Sequence, residues 1–167
     1  MDIKKIAQLE IDAFNRHDID AFAAVYTENS SAYDPQYDKP LQGRDEIKKD
    51  IVDFFRAFPD AEAKILGPIL TSENTAAFEV EMTGTHTGPL VSPMGSIPPT
   101  KRKIKILGSR IIHVTADGRI TSCNRYYDMM GLMMQLGLIQ KVMILFVIVL
   151  FVLVGVAGSA FWWWPKI

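Results

Sequence analysis

Asp128 is an isolated carboxylate at the junction between a strand-like stretch and a methionine-rich one, in the segment SCNRYYDMMGLMMQLG (122–137). A lone carboxylate in an apolar cavity can take up and return a proton near pH 7, because burial raises its pKa. The same position suits a helix N-cap, whose carboxylate accepts a backbone N–H from the first helical turn. The two roles are compatible, and the residues alone leave both open.

Two histidines are candidate partners for that proton transfer. Alternation along residues 75–87 places His86 on an apolar face with Phe78 and Met82. A satisfied interior histidine is the competing interpretation of His86. His113 lies on the preceding predicted strand with the opposite parity to its apolar neighbours, so it points inward only if the strand has a bulge or an offset.

The last predicted strand, residues 119–128, is polar on both of its faces. One row contains Ile120, Ser122, Asn124, Tyr126 and Asp128, and its polar members suggest either a pocket wall or a solvent face. The opposite row is equally polar, so alternation cannot choose the inward face. We take Asn124 and Tyr126, together with Phe78 and Met82, as the candidate substrate pocket.

Bulk composition and the missing motifs exclude several other kinds of site. The chain has 167 residues, enough for one domain, and a net charge of −1, which does not favour nucleic acid. Its single cysteine, Cys123, excludes an intrachain disulfide and favours a reducing compartment. The three histidines lack metal-ligand spacing, and neither a glycine-rich phosphate loop nor a nucleophile elbow is present. We therefore expect no metal and no cofactor.

The C-terminal part of the chain has a different composition. Residues 142–164 contain no charge, and a helix of that length would extend about 35 Å, enough to cross a bilayer. Lys141 and Lys166 bracket the segment, and three tryptophans stand at its end. The sequence predicts a single-pass membrane protein whose N-terminal domain is cytoplasmic, with residues 139–141 as linker and 165–167 as tail.

Residues 1–138 read as helices first and strands later, the pattern of an α+β fold. The apolar spacing predicts helices over residues 2–16 and 44–58, with a short helix capped by Asp18 between them. Strands are predicted at 31–34, 61–70, 75–87, 101–114 and 119–128. Residues 88–100 contain four prolines and read as too irregular for a strand.

Four segments, taken in order, resemble the SnoaL-like polyketide cyclase or ester cyclase family, within the nuclear transport factor 2-like superfamily. They are LQGRDEIKKDIVDFFRAFPDA (41–61), TGTHTGPL (83–90), ADGRI (116–120) and YYDMMGLMMQLG (126–137). The resemblance covers residues 1–138. It implies a cone-shaped α+β barrel, in which three helices and a curved, mainly antiparallel sheet enclose a deep pocket.

The resemblance also implies a chemistry. In cyclases of this family an aspartate at the end of the last strand acts as acid and base in an intramolecular aldol condensation without metal or organic cofactor, and Asp128 matches that position. A histidine on the preceding strand takes part in some members, and His113 lies near that place. Two departures are the added membrane segment and Lys101, which stands where a glycine usually follows the threonine.

Two hypotheses follow. The first is a membrane-anchored cyclase or isomerase that acts on a hydrophobic carbonyl compound, in which Asp128 moves the proton and His86 or His113, with Tyr126, stabilises the enolate. The second is a non-catalytic module that binds an apolar ligand or pairs through its sheet as a homodimer. The small residues Gly155 and Ser159 are spaced to help the membrane anchors dimerise. The expected partners are a hydrophobic small molecule and the bilayer, without nucleic acid.

Overall fold

Four helices and eight strands form an α+β fold in the computed structural model, which describes residues 2–93 and 95–139 and the single positions 144 and 149. In chain order they are α1 (Ile3–Asn15), α2 (Ile19–Ala24), β1 (Tyr26–Tyr33), β2 (Leu41–Gln42), α3 (Arg44–Ala57), β3 (Glu62–Ser72), β4 (Thr75–Thr85), β5 (Leu90–Ser92), β6 (Gly95–Ile97), β7 (Lys103–Val114), β8 (Ile120–Tyr127) and α4 (Met129–Gln135). The predicted α+β class is confirmed, and the arrangement is consistent with a cone fold.

The helices begin and end where the sequence predicts. The Asp2 and Asp18 carboxylates accept the Lys4 and Ala21 backbone N–H groups and so cap α1 and α2. α3 ends just before the residue that precedes Pro59. Each of the longer helices turns an apolar stripe towards the sheet, and these stripes form one continuous hydrophobic core with the inner face of the sheet.

The main sheet has the strand order β2-β1-β8-β7-β4-β3 and is mixed. β1 pairs in parallel with β8, whereas the remaining neighbours are antiparallel. The four long strands lie within two residues of their predicted ends, but the predicted short strand at 31–34 is the end of the longer β1. The parallel pair brings the end of β1 next to the end of β8, where the cavity described below has its polar wall.

The prediction that residues 88–100 hold no strand is wrong. β5 and β6 pair antiparallel as a short hairpin, with Leu90 opposite Ile97. The four prolines of this segment all lie outside the paired residues, so none of them removes a hydrogen-bond donor from the ladder.

A β-bulge decides which face of β8 points inward. The pairing with β7 shifts between His113 and Val114, so that Thr121 is the extra residue on β8. Ile120 and Cys123 are therefore both buried, and the residues at alternate positions after Cys123 face the core. The grouping of Ile120 with Asn124 and Tyr126 on one face is wrong, because the bulge reverses the alternation.

The membrane prediction concerns residues 142–164, which lie outside the described residues apart from the single positions 144 and 149. Within the described part of the chain, no helix is both long enough and apolar enough to span a bilayer.

Candidate functional site

A cavity of about 90 Å³ lies between the helices and the inner face of the main sheet. By the space that a single buried water needs, it has room for several waters or a small ring. Most of its wall is apolar and comes from helices and strands together: Phe14, Phe22, Ile51, Phe54, Phe58, Val80, Met82, Leu90, Ile104, Ile106 and Leu132. An apolar cavity with a few polar groups at one side is the usual form of a small-molecule site.

The polar wall of the cavity is built around Arg125. Its Nη1 donates to Oδ2 of Asp34 at 3.2 Å and to Oδ2 of Asp50 at 2.9 Å. The other oxygen of each carboxylate accepts a phenol: Tyr127 donates to Asp34 and Tyr37 donates to Asp50, each at 2.8 Å. We call Asp34, Asp50, Arg125, Tyr127 and Tyr37 the Arg125 cluster.

Strand register and helix spacing bring this cluster together. In the parallel pair of β1 and β8, Tyr33 stands opposite Asn124, so Asp34 and Arg125 follow one step further along their chains. Asp34 begins a turn in which its carboxylate accepts the Gln36 N–H at 3.0 Å. Asp50 lies in α3 one turn before Phe54, which also lines the cavity, so this face of α3 supplies the second carboxylate.

A second buried ion pair adjoins the first. Arg110 on β7 stands directly opposite Arg125 on β8, and its Nη1 donates to Oε1 of Glu10 at 2.9 Å. Tyr26 donates its hydroxyl to the same Glu10 oxygen. Two guanidinium groups therefore face three carboxylates, which leaves one negative charge in excess beside the cavity. Because two neighbouring buried arginines would repel each other, the carboxylates are necessary to hold them there.

The proton positions in the Arg125 cluster follow from its electrostatics. Burial raises the pKa of Tyr127 well above its ordinary value, and the Asp34 carboxylate raises it further. Burial and Asp50 raise the pKa of Tyr37 in the same way. Burial disfavours the charge on Arg125, but the attraction of Asp50 and Asp34 outweighs it and raises the pKa of the guanidinium. Both phenols thus remain donors and Arg125 remains a cation at neutral pH.

Asp128 lies outside this cavity wall. It is exposed at the N-terminus of α4, where its Oδ1 accepts the Gly131 backbone N–H at 2.8 Å. The structure thus shows the helix cap that the sequence offered as one of two roles. The predicted acid–base role of Asp128 stays a prediction, and Asp128 is not among the residues that line the cavity.

The two candidate histidines lie apart from each other and from the cavity. His113 is on the outer face of the sheet, with Nδ1 2.9 Å from the Thr75 hydroxyl, so the bulge does not turn it inward. His86 is fully buried beside Phe58, and its Nδ1 accepts the Thr100 backbone N–H at 3.2 Å. The proton of neutral His86 is therefore on Nε2, which has no hydrogen-bond partner among the described residues.

Stability is expected to fall as the pH drops below about 6.5, the unfolded pKa of histidine. Burial lowers the pKa of His86, so the unfolded chain binds this proton more readily than the folded one. When one proton is involved, the free energy of unfolding changes by at most about 1.4 kcal/mol per pH unit. Urea unfolding at several pH values between 7.5 and 5 measures this change. His86→Asn should weaken the pH dependence of the unfolding free energy, and the control His113→Asn should not. If the pH dependence is unchanged in His86→Asn, His86 is not its cause.

The four predicted pocket residues have different positions. Met82 lines the cavity on β4, whereas Phe78 on the same strand is buried in the core and does not line it. Tyr126 borders the cavity, but its side chain is 46% exposed and its ring packs against Tyr33 with 5.4 Å between centroids. Asn124 shares this outward row and does not line the cavity.

The charged residues that do form the polar wall were missed by sequence reasoning. A usable signal was present, because several of them interrupt apolar rows that face the core. Glu10 falls on the buried stripe of α1, and Arg110 lies in the buried row of β7 between Ile106 and Ile112. Buried charged residues are rare unless they are paired, so such interruptions mark candidate sites.

Comparisons with known proteins agree with this architecture. A family model described as SnoaL-like polyketide cyclase matches residues 4–136. The comparison with curated proteins finds no match.

No group of three His, Cys, Asp or Glu side chains in the described residues is arranged to hold a metal ion.

Several solved structures share the fold. A candidate SnoaL-like polyketide cyclase from Jannaschia sp. CCS1 has TM-score 0.69 and 14% identity, over 80% of this chain and 90% of that one. SalBIII, an epoxide hydrolase/cyclase-like enzyme in pyran ring formation in the polyether salinomycin, has TM-score 0.63 and 19% identity, over 77% of this chain and 92% of that one. A protein with a ketosteroid isomerase-like fold from Catenulispora acidiphila, in complex with trimethylamine, has TM-score 0.66 and 15% identity, over 80% of this chain and 92% of that one. Identities this low show the fold alone.

Proposed function

The chain belongs to the SnoaL-like polyketide cyclase family, and on that premise we propose that it performs cofactor-free acid–base chemistry on a hydrophobic carbonyl compound. The reaction is of the cyclase or isomerase type. The observation that carries this proposal is the Arg125 cluster, which sets two carboxylates and a guanidinium group into the wall of a mainly apolar cavity.

Each part of the cluster has a role in such a reaction. A carboxylate of Asp34 or Asp50 removes a proton from the carbon next to the substrate carbonyl, which leaves an enolate. Both ion pairs of Arg125 use Nη1, so within the described residues Nη2 and Nε are left to bind the enolate oxygen. The carbanion then attacks a second carbonyl or takes the proton back at another carbon. The proton ends on the product, and nothing is oxidised.

Proton exchange tests the proposal directly. The full-length protein is incubated in deuterated water with a panel of hydrophobic ketones, and loss of the α-proton is followed by NMR. We expect exchange above the buffer rate that is lost in Asp34→Asn or in Asp50→Asn, each made singly so that Arg125 keeps one carboxylate partner. Exchange that persists in both single variants would place the base elsewhere, with Asp128 the first residue to test.

A non-catalytic binding module of the same fold is the second candidate. The excess of one negative charge beside aromatic rings such as Phe22 and Phe54 favours a cationic ligand. One structure of similar fold holds trimethylamine. Titration calorimetry with trimethylammonium, and with neutral tert-butanol as its control, separates this candidate from the enzyme. Tight binding of the cation without proton exchange on any ketone would favour the module.

We also propose that residues 142–164 anchor the chain in a membrane, with the described domain on the cytoplasmic side. The support is the charge-free sequence of that segment and the lysines on both sides of it. A lysine in the middle of such a segment costs about 2.5–3.5 kcal/mol of insertion free energy. A single lysine does not outweigh the apolar residues of this segment, but Ile148→Lys, Val152→Lys and Val156→Lys together should release the chain from washed membranes into the soluble fraction, and alanine at the same three positions should not. Release of the unmodified chain by high salt would argue against the anchor.

A further inference from the structure

We propose that one side of the folded domain docks on an anionic lipid surface through the exposed face of α4 and the basic residues before β7. We call Met130, Met134, Lys101 and Arg102 the α4 surface. The proposal rests on the membrane anchoring proposed above and adds to it, because it assigns lipid contact to residues of the folded domain.

The apolar part of the α4 surface is a pair of methionines one helical turn apart. The Met130 side chain is 62% exposed and that of Met134 is 52% exposed. On the opposite side of the helix Leu132 and Leu136 are buried, and Leu132 lines the cavity. α4 is therefore a thin cover, with one face on the cavity and the other turned outward with long apolar side chains.

The basic part of the α4 surface lies beside the C-terminal end of α4. The Arg102 guanidinium lies against Gly137, so close that an added Cβ would be 2.5 Å from Cζ. Gln135 exchanges two hydrogen bonds with the Lys105 backbone, at 2.7 and 3.0 Å, and so ties α4 to the start of β7. The basic residues before β7 thus lie at the C-terminal end of α4, the end that carries Met134.

The positive charge of this surface comes from Lys101 and Arg102. Lys105 is paired with Glu81 at 2.7 Å, and Lys103 borders the same surface depression as Asp60. Lys101 and Arg102 are exposed and have no carboxylate partner within the described part of the chain. Exposed methionines next to unpaired cations match the acyl chains and headgroups of an anionic leaflet.

Lys101 has an unusual backbone conformation for a lysine. Its φ of +59° lies in the left-handed region, which favours glycine and strains other residues. A strained residue that a glycine would relieve suggests that the side chain is needed. The lysine at this position, where a glycine usually stands in the family, is accounted for by a role in binding anionic headgroups.

Chain length limits the distance to a bilayer. The charge-free segment starts at residue 142, seven positions after Gln135 ends α4. Seven residues reach at most about 25 Å even when fully extended. A bilayer that holds residues 142–164 therefore lies within that reach of α4, and the orientation with the α4 surface towards the lipid is the one that satisfies its exposed methionines.

Depth-dependent fluorescence quenching tests the proposal on the full-length chain. Met134→Cys is labelled with an environment-sensitive dye and reconstituted into phosphatidylcholine vesicles with and without phosphatidylserine. The native Cys123 is buried, so the label reacts at the introduced cysteine. Nitroxide lipids should quench most of the fluorescence at position 134 in anionic vesicles, and Lys101→Gly with Arg102→Gln should remove that quenching.

The chain offers matched controls. Leu70 is 65% exposed and equally apolar, but it pairs with Ala77, six residues along β4 from the partner of Lys105 and so about 20 Å away. A label at Leu70→Cys should stay unquenched. Lys5→Gln removes an exposed lysine in α1, at the opposite end of the sheet, and should leave quenching at position 134 unchanged.

Several results would overturn the proposal. If position 134 is unquenched, or quenched alike with and without phosphatidylserine, the α4 surface does not bind anionic lipid, and another part of the chain covers it. Chains that fail to float with vesicles after a salt wash would instead refute the anchor. Lys101→Gly should keep or raise the midpoint of thermal unfolding while it weakens lipid contact; a lowered midpoint would assign Lys101 a structural role.

Discussion

Replacing Arg125 by methionine is expected to lower the free energy of unfolding by about 3–5 kcal/mol, because it removes one partner of a buried ion pair. Arg125 Nη1 bridges the carboxylates of Asp34 and Asp50, and all three side chains are largely buried. Without the guanidinium, two carboxylates would remain at the cavity with only the tyrosine hydroxyls and the Gln36 N–H to stabilise them. Urea unfolding monitored by circular dichroism measures the loss.

The control is the triple variant in which Arg125→Met is combined with Asp34→Asn and Asp50→Asn. It removes the cation and both anions together, so no unpaired charge remains buried, and most of the lost stability should return. Both asparagines keep an oxygen that can accept the tyrosine hydroxyls. A triple variant as unstable as Arg125→Met alone would show that the methionine packs badly and that charge imbalance is not the cause.

The secondary structure was largely predictable because the local signals agree with the fold. Helix caps at Asp18, the stop before Pro59 and the alternation in the long strands are all local. The hairpin of β5 and β6 was missed because proline content suggested an irregular loop. What counts is where each proline stands, and here all four flank the paired residues.

The candidate site was harder to predict because it depends on a non-local event. The bulge at Thr121 reverses the alternation of β8, so Arg125 and Tyr127 point inward and Asn124 points outward. No local pattern in SCNRYYD reveals which residue will be extra, since that is decided by the pairing with β7. A strict alternation counted from Ile120 therefore selects the wrong row.

The parallel pairing of β1 with β8 could not be predicted from the sequence either. These strands are the first and last of the domain, and their register places Asp34 beside Arg125 although 91 positions separate them. Asp50 comes from a helix between them in the sequence. What could have been predicted is that charged residues on core-facing rows, such as Glu10 and Arg110, must find partners. The identity of those partners needed the topology.

The largest effect on function is expected from the single variants Asp34→Asn and Asp50→Asn. The Asp34 carboxylate also accepts the Tyr127 hydroxyl through the oxygen that does not contact Arg125. If one of these carboxylates is the general base, its replacement should slow ketone proton exchange by 10²–10⁴-fold. Each single variant keeps Arg125 paired with the remaining carboxylate, so the fold should survive. Exchange rates by NMR, with unfolding curves beside them, separate loss of chemistry from loss of structure.

Asp128→Asn is the matched control, because it makes the same chemical change at the position that the family resemblance selects. Asparagine caps helices nearly as well as aspartate, so the stability of α4 should hardly change. If the Arg125 cluster does the chemistry, Asp128→Asn should keep the exchange rate within about twofold of the unmodified protein. The reason is that the Asp128 carboxylate lies outside the cavity wall, where it accepts the Gly131 N–H. If instead Asp128→Asn abolishes exchange while Asp34→Asn and Asp50→Asn do not, α4 must move to bring Asp128 to the substrate, and the cluster is structural.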